Sequence, residues 1–274
     1  PVPTLPVPER IQNFHEANLS MDEATAHQEA GRCLDCGVCC ECFQCVEACK
    51  AEAIDHTMTD RWLDITVGSV ILAPGFQPYD PALNDTYHYG HFPNVVTSLE
   101  FERILSASGP YEGHLIRPSD KKEPKKIAWI QCVGSRNTHV GDKGYCSAVC
   151  CTYAIKQAMV AKEHSSEPLD TAIFFIDIRT YGKDFEKFFN RAKDDVGVRF
   201  IKSRINNILP GEEEGNLTIR YTDEAGRIIH EEFNIVVLSV GLDIPQESMA
   251  LAQKMGVELN TYNFVSTKTF EPVR

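Results

Sequence analysis

Apolar runs of strand length alternate with apolar positions at helical spacing through the second half of this chain. Ile127–Val133 is such a run and predicts a buried strand. A helix opens after it near Cys150, with Cys151, Ile155, Ala158 and Met159 as its apolar positions. Thr171–Ile178 predicts a second buried strand. Phe185, Phe188, Phe189 and Ala192 then follow i, i+3, i+4, i+7, the spacing of a helix face packed into a core. Val198–Ile205 predicts a third strand. Leu217–Thr222 and Ile228–Phe233 predict a hairpin about a turn containing Gly226, and Ile235–Val240 is a last apolar strand ending at Gly241. This alternation is that of an α/β, doubly wound, Rossmann-like domain.

The first half is less regular. Residues 1–19 are proline-rich and then mixed, and read as an extended lead-in. Ser20 and Glu23 form a capping box for a short helix through Ala24, Ala26 and Ala30, which Gly31 stops. Leu63–Ala73 is apolar and β-branched and predicts a strand running into a turn at Pro74-Gly75. Residues 76–125 are rich in turns, prolines and tyrosines, with one helix at Leu99–Ser106.

Composition narrows the function. The 274 residues are enough for about two domains, and 43% are hydrophobic, enough for a core. Lys+Arg 27 against Asp+Glu 39 gives a net charge of −12, which argues against nucleic acid or an anionic membrane surface as partner. No apolar run approaches the ~18–20 residues that span a bilayer. Pro-Val-Pro-Thr-Leu-Pro at the start lacks the charged and apolar regions of a signal peptide. The expected location is therefore the cytoplasm, where cysteines persist as ligands or core thiols rather than disulfides.

The cysteines carry the chemistry. Cys33, Cys36, Cys39, Cys40, Cys42, Cys45 and Cys49 are seven of the chain's 11, packed into one short segment. Cys39, Cys42, Cys45 and Cys49 have the C-x2-C-x2-C-x3-C spacing of bacterial [4Fe–4S] ligation, although Lys50 stands where a proline usually follows. Adjacent Cys39 and Cys40 and the short spacings oppose several unstrained disulfides. Four-cysteine zinc sites space their pairs more widely. Iron–sulfur ligation is the reading. A second cluster using Cys33 and Cys36 needs a further ligand, and Cys40 is the candidate spare. His56 is either that missing ligand or a surface histidine.

In a dinucleotide domain the first strand runs into G-x-G-x-x-G, whose glycines let the backbone approach a pyrophosphate. Here it runs into Gln131-Cys132-Val133-Gly134-Ser135-Arg136, with one glycine and a cysteine at the strand end. Cys146, Cys150 and Cys151 stand at the entrance of the next helix, whose free amides and dipole favour thiolates. Spacing leaves two readings for Cys132, Cys146, Cys150 and Cys151: a second, atypical cluster site, or buried core thiols. Ser135 and Arg136 either donate to cluster sulfurs or make ordinary loop contacts. The phenylalanine-rich helix at 185–189 reads as core.

Gln131–Arg136, Tyr145-Cys146-Ser147, Cys150–Ala158, Pro93–Arg103 and Val237–Leu242 resemble the HdrA component of heterodisulfide reductase, its iron–sulfur flavoprotein. The likeness runs from about residue 62 to the C-terminus. It implies a thioredoxin-reductase-like flavoprotein fold in which an iron–sulfur cluster replaces the NAD(P)H site, with Cys132, Cys146, Cys150 and Cys151 as ligands. It also implies that Gly75, in the turn after Val70–Ala73, and Gly241 lie near a flavin, with Lys156 pointing toward the flavin N5 edge. The family's FAD-binding glycine motif falls before the first residue here, and its second FAD-contacting segment after Arg274. The resemblance thus implies a fragment, with FAD belonging to the complete protein. Phe14–Ser20 and Glu29–Gly37 are instead similar to the iron–sulfur lead-in of glutamate synthase small subunits. Under that likeness Cys33 replaces Cys39 beside Cys42, Cys45 and Cys49.

The implied organisation is a ferredoxin-like iron–sulfur segment at 1–60, a partial FAD-domain remnant at 61–125, an NAD(P)H-domain-like α/β domain at 126–241 and a return segment at 242–274. The implied function is that of an electron-transfer oxidoreductase component, passing electrons between a flavin and the partner subunits of a heterodisulfide-reductase-like complex through about two or three [4Fe–4S] clusters. The alternatives are a glutamate-synthase-like NAD(P)H-dependent oxidoreductase and a zinc-stabilised, non-redox interaction module.

Overall fold

The computed structural model describes residues 4–13, 15, 17–19, 21–30, 43–83, 85–139, 143–268, 270 and 271. The chain divides into two compact units, Pro1–Val70 and Ile71–Arg274. No helix among the described residues is long and apolar enough to cross a membrane.

The first unit carries α1 (Val7–Arg10), α2 (Glu23–Ala30) and α3 (Gln44–Ala48). Asp22 Oδ1 accepts the Thr25 amide at 2.7 Å, and hydrogen bonds from the Thr25 side chain and then from that amide hold the Asp22 carboxyl below its ordinary range. A carboxylate one residue before the helix reaches the free amides directly and also meets the positive end of the dipole. Ser20, Gly31, Cys33, Cys36, Cys39, Cys40 and Cys42 lie outside the described residues.

The strand expected at Leu63–Ala73 does not form. Trp62, Leu63, Ile65, Val67, Val70 and Ile71 are exposed and in no regular element. An alternating apolar segment becomes a strand only when a neighbour satisfies its amides and covers its face. No described strand pairs with this one.

The second unit contains β1 (Gln77–Pro78), β2 (Val95–Thr97), α4 (Ser98–Leu105), β3 (Lys126–Val133), α5 (Cys150–His164) and β4 (Asp170–Phe175). It continues with α6 (Phe185–Asn190), β5 (Arg199–Lys202), β6 (Ile208–Pro210), β7 (Leu217–Thr222), β8 (Ile228–Phe233), β9 (Ile235–Val240), β10 (Leu242–Asp243) and α7 (Gln246–Met255). Thr97 and Glu100 form a full capping box on α4, each side chain taking the other residue's amide. The central sheet has the order β2-β9-β3-β4-β5, and every pairing in it is parallel.

Both faces of this sheet are covered, which is why its strands are apolar at almost every position. Ile127, Trp129, Ile173, Ile235 and Val237 face the helices, meeting Phe101 of α4 and Ile155 of α5. Trp129 meets Phe101 edge to face at 5.4 Å and donates its indole N–H to Gln157 Oε1. Ala128, Ile130, Phe174, Val236 and Leu238 face the other way, onto Ile208, Ile219 and Phe233. That second layer is the antiparallel sheet β6-β7-β8 rather than a row of helices. The hairpin fits its expected limits, and β6 joins it as an edge strand. The phenylalanine-rich helix is less buried than its spacing suggests. Phe188 and Phe189 are half-buried, Phe185 is 41% exposed, and full burial is reached only at Ala192, where the helix loosens into a π-turn.

Lys126, Asp170 and Arg199 open three adjacent strands and meet Glu231 of β8 at the sheet's amino end. Glu231 accepts from Lys126 at 2.6 Å, Arg199 at 2.7 Å and Tyr221 at 2.7 Å, while Arg199 also grips Asp170 through two bonds. Burial pushes the Glu231 carboxyl up, but the three donors outweigh it and hold the group below its ordinary range. A depressed carboxyl stabilises the fold above its unfolded pKa of about 4.3, and the contribution is lost as pH falls through the folded value. Glu231→Ala is therefore expected to cost about 1–3 kcal/mol at neutral pH. Its difference from wild type, read from urea midpoints, should shrink as pH drops below about 4.

Candidate metal centre

The opposite end of the sheet carries the thiols. Cys132, next to last in β3, has φ +64°, and the pairing of β3 with β9 shifts register between Ile130 and Val133. The left-handed region costs a residue with a Cβ on the order of 1–2 kcal/mol, so the surroundings must hold it there. Arg136 (φ +54°) and Ala148 (φ +64°) share this conformation in the loops on either side of the thiol group.

Three loops lock together to impose it. Ser135 Oγ, after β3, lies 2.6 Å from Ser147 Oγ, before α5. Ser147 Oγ accepts the amide of Leu242, after β9, and the Gly241 amide donates to Val133 O at 2.7 Å. A Cβ on Gly241 would lie 2.3 Å from Ser135 Oγ and 2.7 Å from Ser147 Oγ. Gly134 (φ +71°) lies under the ring of buried Tyr79, where a Cβ would come within 2.1 Å of a ring carbon.

Cys150 and Cys151 are buried in the first turn of α5, while Cys132 and Cys146 are half-buried. The Cys150 thiol donates to Val240 O at 3.6 Å, the Cys151 thiol to Asp177 O at 3.9 Å, and the Ala148 amide donates to Cys146 Sγ at 3.4 Å. Burial pushes the Cys132 thiol up to about 11. The Arg136 guanidinium opposes that rise, and Cys151 and Cys146 add to it. Burial pushes Cys150 up to about 12, opposed by its hydrogen bond with Tyr153 and reinforced by Cys132, Cys151 and Cys146. Cys151 is raised by burial too, with Cys146 adding to it. The structure thus brings the four thiols into mutual electrostatic reach at the carboxyl ends of the strands, where open α/β sheets bind their ligands.

Other sequence candidates fall nearby. Lys156 on α5 pairs with Glu102 of α4. Lys156 and Gly241 line one cleft of about 380 Å³, together with Phe76, Leu99, Tyr153 and Val240. Gly75 (φ +80°) precedes Phe76 without lining the cleft itself. In the first unit, Cys45 Sγ lies 3.9 Å from His56 Nε2, and the Ala53 amide donates to Cys49 Sγ. Tyr79 and Arg179 are neighbours of this end that sequence reasoning missed, because neither lies in a cysteine or glycine motif. The crevice does not suit a pyrophosphate. Its one strand-end glycine, Gly134, is capped by Tyr79, and thiols occupy the helix entrance.

No family model matches the chain. It is 39% identical over 233 residues to the iron–sulfur HdrA component of the CoB–CoM heterodisulfide reductase of Methanocaldococcus jannaschii, covering 85% of this chain and 34% of that protein. It is 41% identical over 215 residues to the corresponding HdrA component of the H(2)/formate:CoB-CoM heterodisulfide,ferredoxin reductase of Methanococcus maripaludis, covering 78% of this chain and 32% of that one. A solved thioredoxin reductase of T. acidophilum aligns at a TM-score of 0.38 and 12% identity, over 71% of this chain and 50% of that chain. The two heterodisulfide reductase relatives place the chain among the components of oxidoreductases. Within that class it is a relative of the HdrA components of heterodisulfide reductases, and it spans about a third of the length of the curated relatives it matches.

Gly241→Ala forces a methyl into the serine pair and is expected to lower stability by about 1–3 kcal/mol. Urea unfolding reads this directly; a midpoint equal to wild type would show that the three loops are not interlocked.

Proposed function

We propose that this chain is the cluster-bearing part of an HdrA-like electron carrier, with Cys132, Cys146, Cys150 and Cys151 ligating an iron–sulfur cluster. The observation that carries the reading is that four thiols, one of them on left-handed backbone, lie in one another's electrostatic reach where the parallel sheet opens. The donor set fits. It is four cysteines, the set that holds a [4Fe–4S] cluster. Among the described residues no three potential ligands close to the spacing of a single metal ion, and a cube is a larger body whose thiolates stand farther apart. A bound cluster would supply one-electron transfer at this end of the sheet.

The protein's own residues do the rest. Burial of Cys150 and Cys151 keeps water from that side, and the Ala148 amide stands ready to donate to a Cys146 thiolate. Glu102 holds Lys156 at the cleft beside Gly241. That cleft is the side from which a flavin of the complete protein would reach the cluster, and its walls are largely apolar. Cys33, Cys36, Cys39, Cys42, Cys45 and Cys49 would hold one or two further clusters leading to partner subunits. A reducing cytoplasm would keep all these thiols available.

The test is iron and acid-labile sulfide per chain after anaerobic purification. About eight to twelve irons with equal sulfide are expected, and Cys132→Ala should lose about four of them. Zinc without sulfide would overturn the reading in favour of a non-redox module, and tight NADPH binding would favour a glutamate-synthase-like dehydrogenase.

A further inference from the structure

Asp177 follows β4 at the thiol end of the sheet. Its main-chain oxygen accepts from the Cys151 thiol at 3.9 Å, and its carboxylate serves two arginines at once. Arg136 Nη1 donates to Asp177 Oδ1 at 2.8 Å, and Arg179 Nε donates to the same oxygen at 2.9 Å. This shared anchor keeps the two guanidiniums in the electrostatic surroundings of the thiols, Arg136 in that of Cys132 and Arg179 in that of Cys146 and Cys151. Arg136 takes left-handed backbone to do so, its amide fixed on Tyr145 O at 2.9 Å. A carboxylate bonded by two guanidiniums is ionised at neutral pH. Two cations share one anion, which leaves one uncompensated positive charge beside the cysteines of a chain whose net charge is −12.

We infer that Arg136 and Arg179, fixed on Asp177, raise the reduction potential of the cluster held by Cys132, Cys146, Cys150 and Cys151. The inference rests on the cluster reading above. Reduction adds one electron to the cluster and makes it one unit more negative. Guanidiniums fixed beside the thiols would stabilise that reduced form over the oxidised one, as charge and hydrogen bonds to cluster sulfurs do generally. Neither arginine bonds iron; both are positioning residues for charge, and Asp177 aims them. Surface ion pairs contribute little to stability, so this bracket is better understood by what it faces than by what it holds together.

The test is a potentiometric titration of the anaerobic full chain with dithionite and mediators, following visible absorption and the paramagnetic resonance of the reduced clusters. The added reductant supplies the electron. Cys132→Ala identifies the site's signal by removing it. In the double variant Arg136→Gln/Arg179→Gln that signal should keep its iron and sulfide. Its midpoint should fall by about 59 mV, a tenfold change in the reduced-to-oxidised ratio at fixed poise for a one-electron couple. Lysine at both positions should restore most of the shift. If the double variant loses iron, Arg179→Gln alone carries the test, with a smaller fall expected and an unchanged midpoint overturning the inference. An unmoved midpoint in an iron-replete double variant also overturns it, and leaves the cluster reading intact. A wild-type chain with no Cys132-dependent signal overturns the cluster reading, and this inference with it.

Discussion

The thiol end of the protein depends on how closely three backbones approach one another at Gly241. The segment after β9 passes between Ser135 and Ser147 with no room for a Cβ, and its amide closes on Val133. That contact joins the loop after β3 to the loop before α5. Through it Cys132 is kept in a conformation that its own Cβ disfavours. Strain of this kind persists only where neighbours over-determine the backbone, and here the neighbours are two serines, a glycine and the ring of Tyr79. A wider gap would let β3 relax into regular pairing and turn Cys132 away from its partners.

The sheet keeps two kinds of charge chemistry apart. At its amino end Lys126, Asp170, Arg199 and Glu231 satisfy one another and tie the central strands to the antiparallel layer. At its carboxyl end Arg136 and Arg179 share the single carboxylate of Asp177 beside the thiols, and the charges of that group do not cancel. Between them lies a dry core of Ile, Val, Phe and Trp129 side chains covered on both faces. A rigid, apolar middle lets one end settle the fold while the other is free to hold a reactive group.

Strands covered on both faces announce themselves as unbroken apolar runs and a hairpin by its turn, so β3 and β9, and β7 and β8 about Gly226, stand within a residue of where the sequence places them. The capping box of Thr97 and Glu100 is equally local, since both partners lie within one turn. The four cysteines were visible as chemistry. Segments whose state depends on a distant partner were not legible. Leu63–Ala73 has the composition of a strand and pairs with no described strand. Phe185 has the spacing of a core residue and lies at the surface, because α6 gives way to a wider turn before its face meets the sheet.

By itself the sequence determined the α/β class, the limits of β3 and β9 and where the thiols stand along the chain, because periodicity and residue chemistry are local properties. Tertiary structure decided the rest. It put an antiparallel sheet on the second face, bent Cys132 into left-handed backbone, capped Gly134 with Tyr79 and gathered Arg136 and Arg179 onto Asp177. Each of these joins residues 40 or more positions apart or depends on a loop held by such a contact. Spacing along a chain carries no information about which distant backbone will arrive, and only packing supplies it.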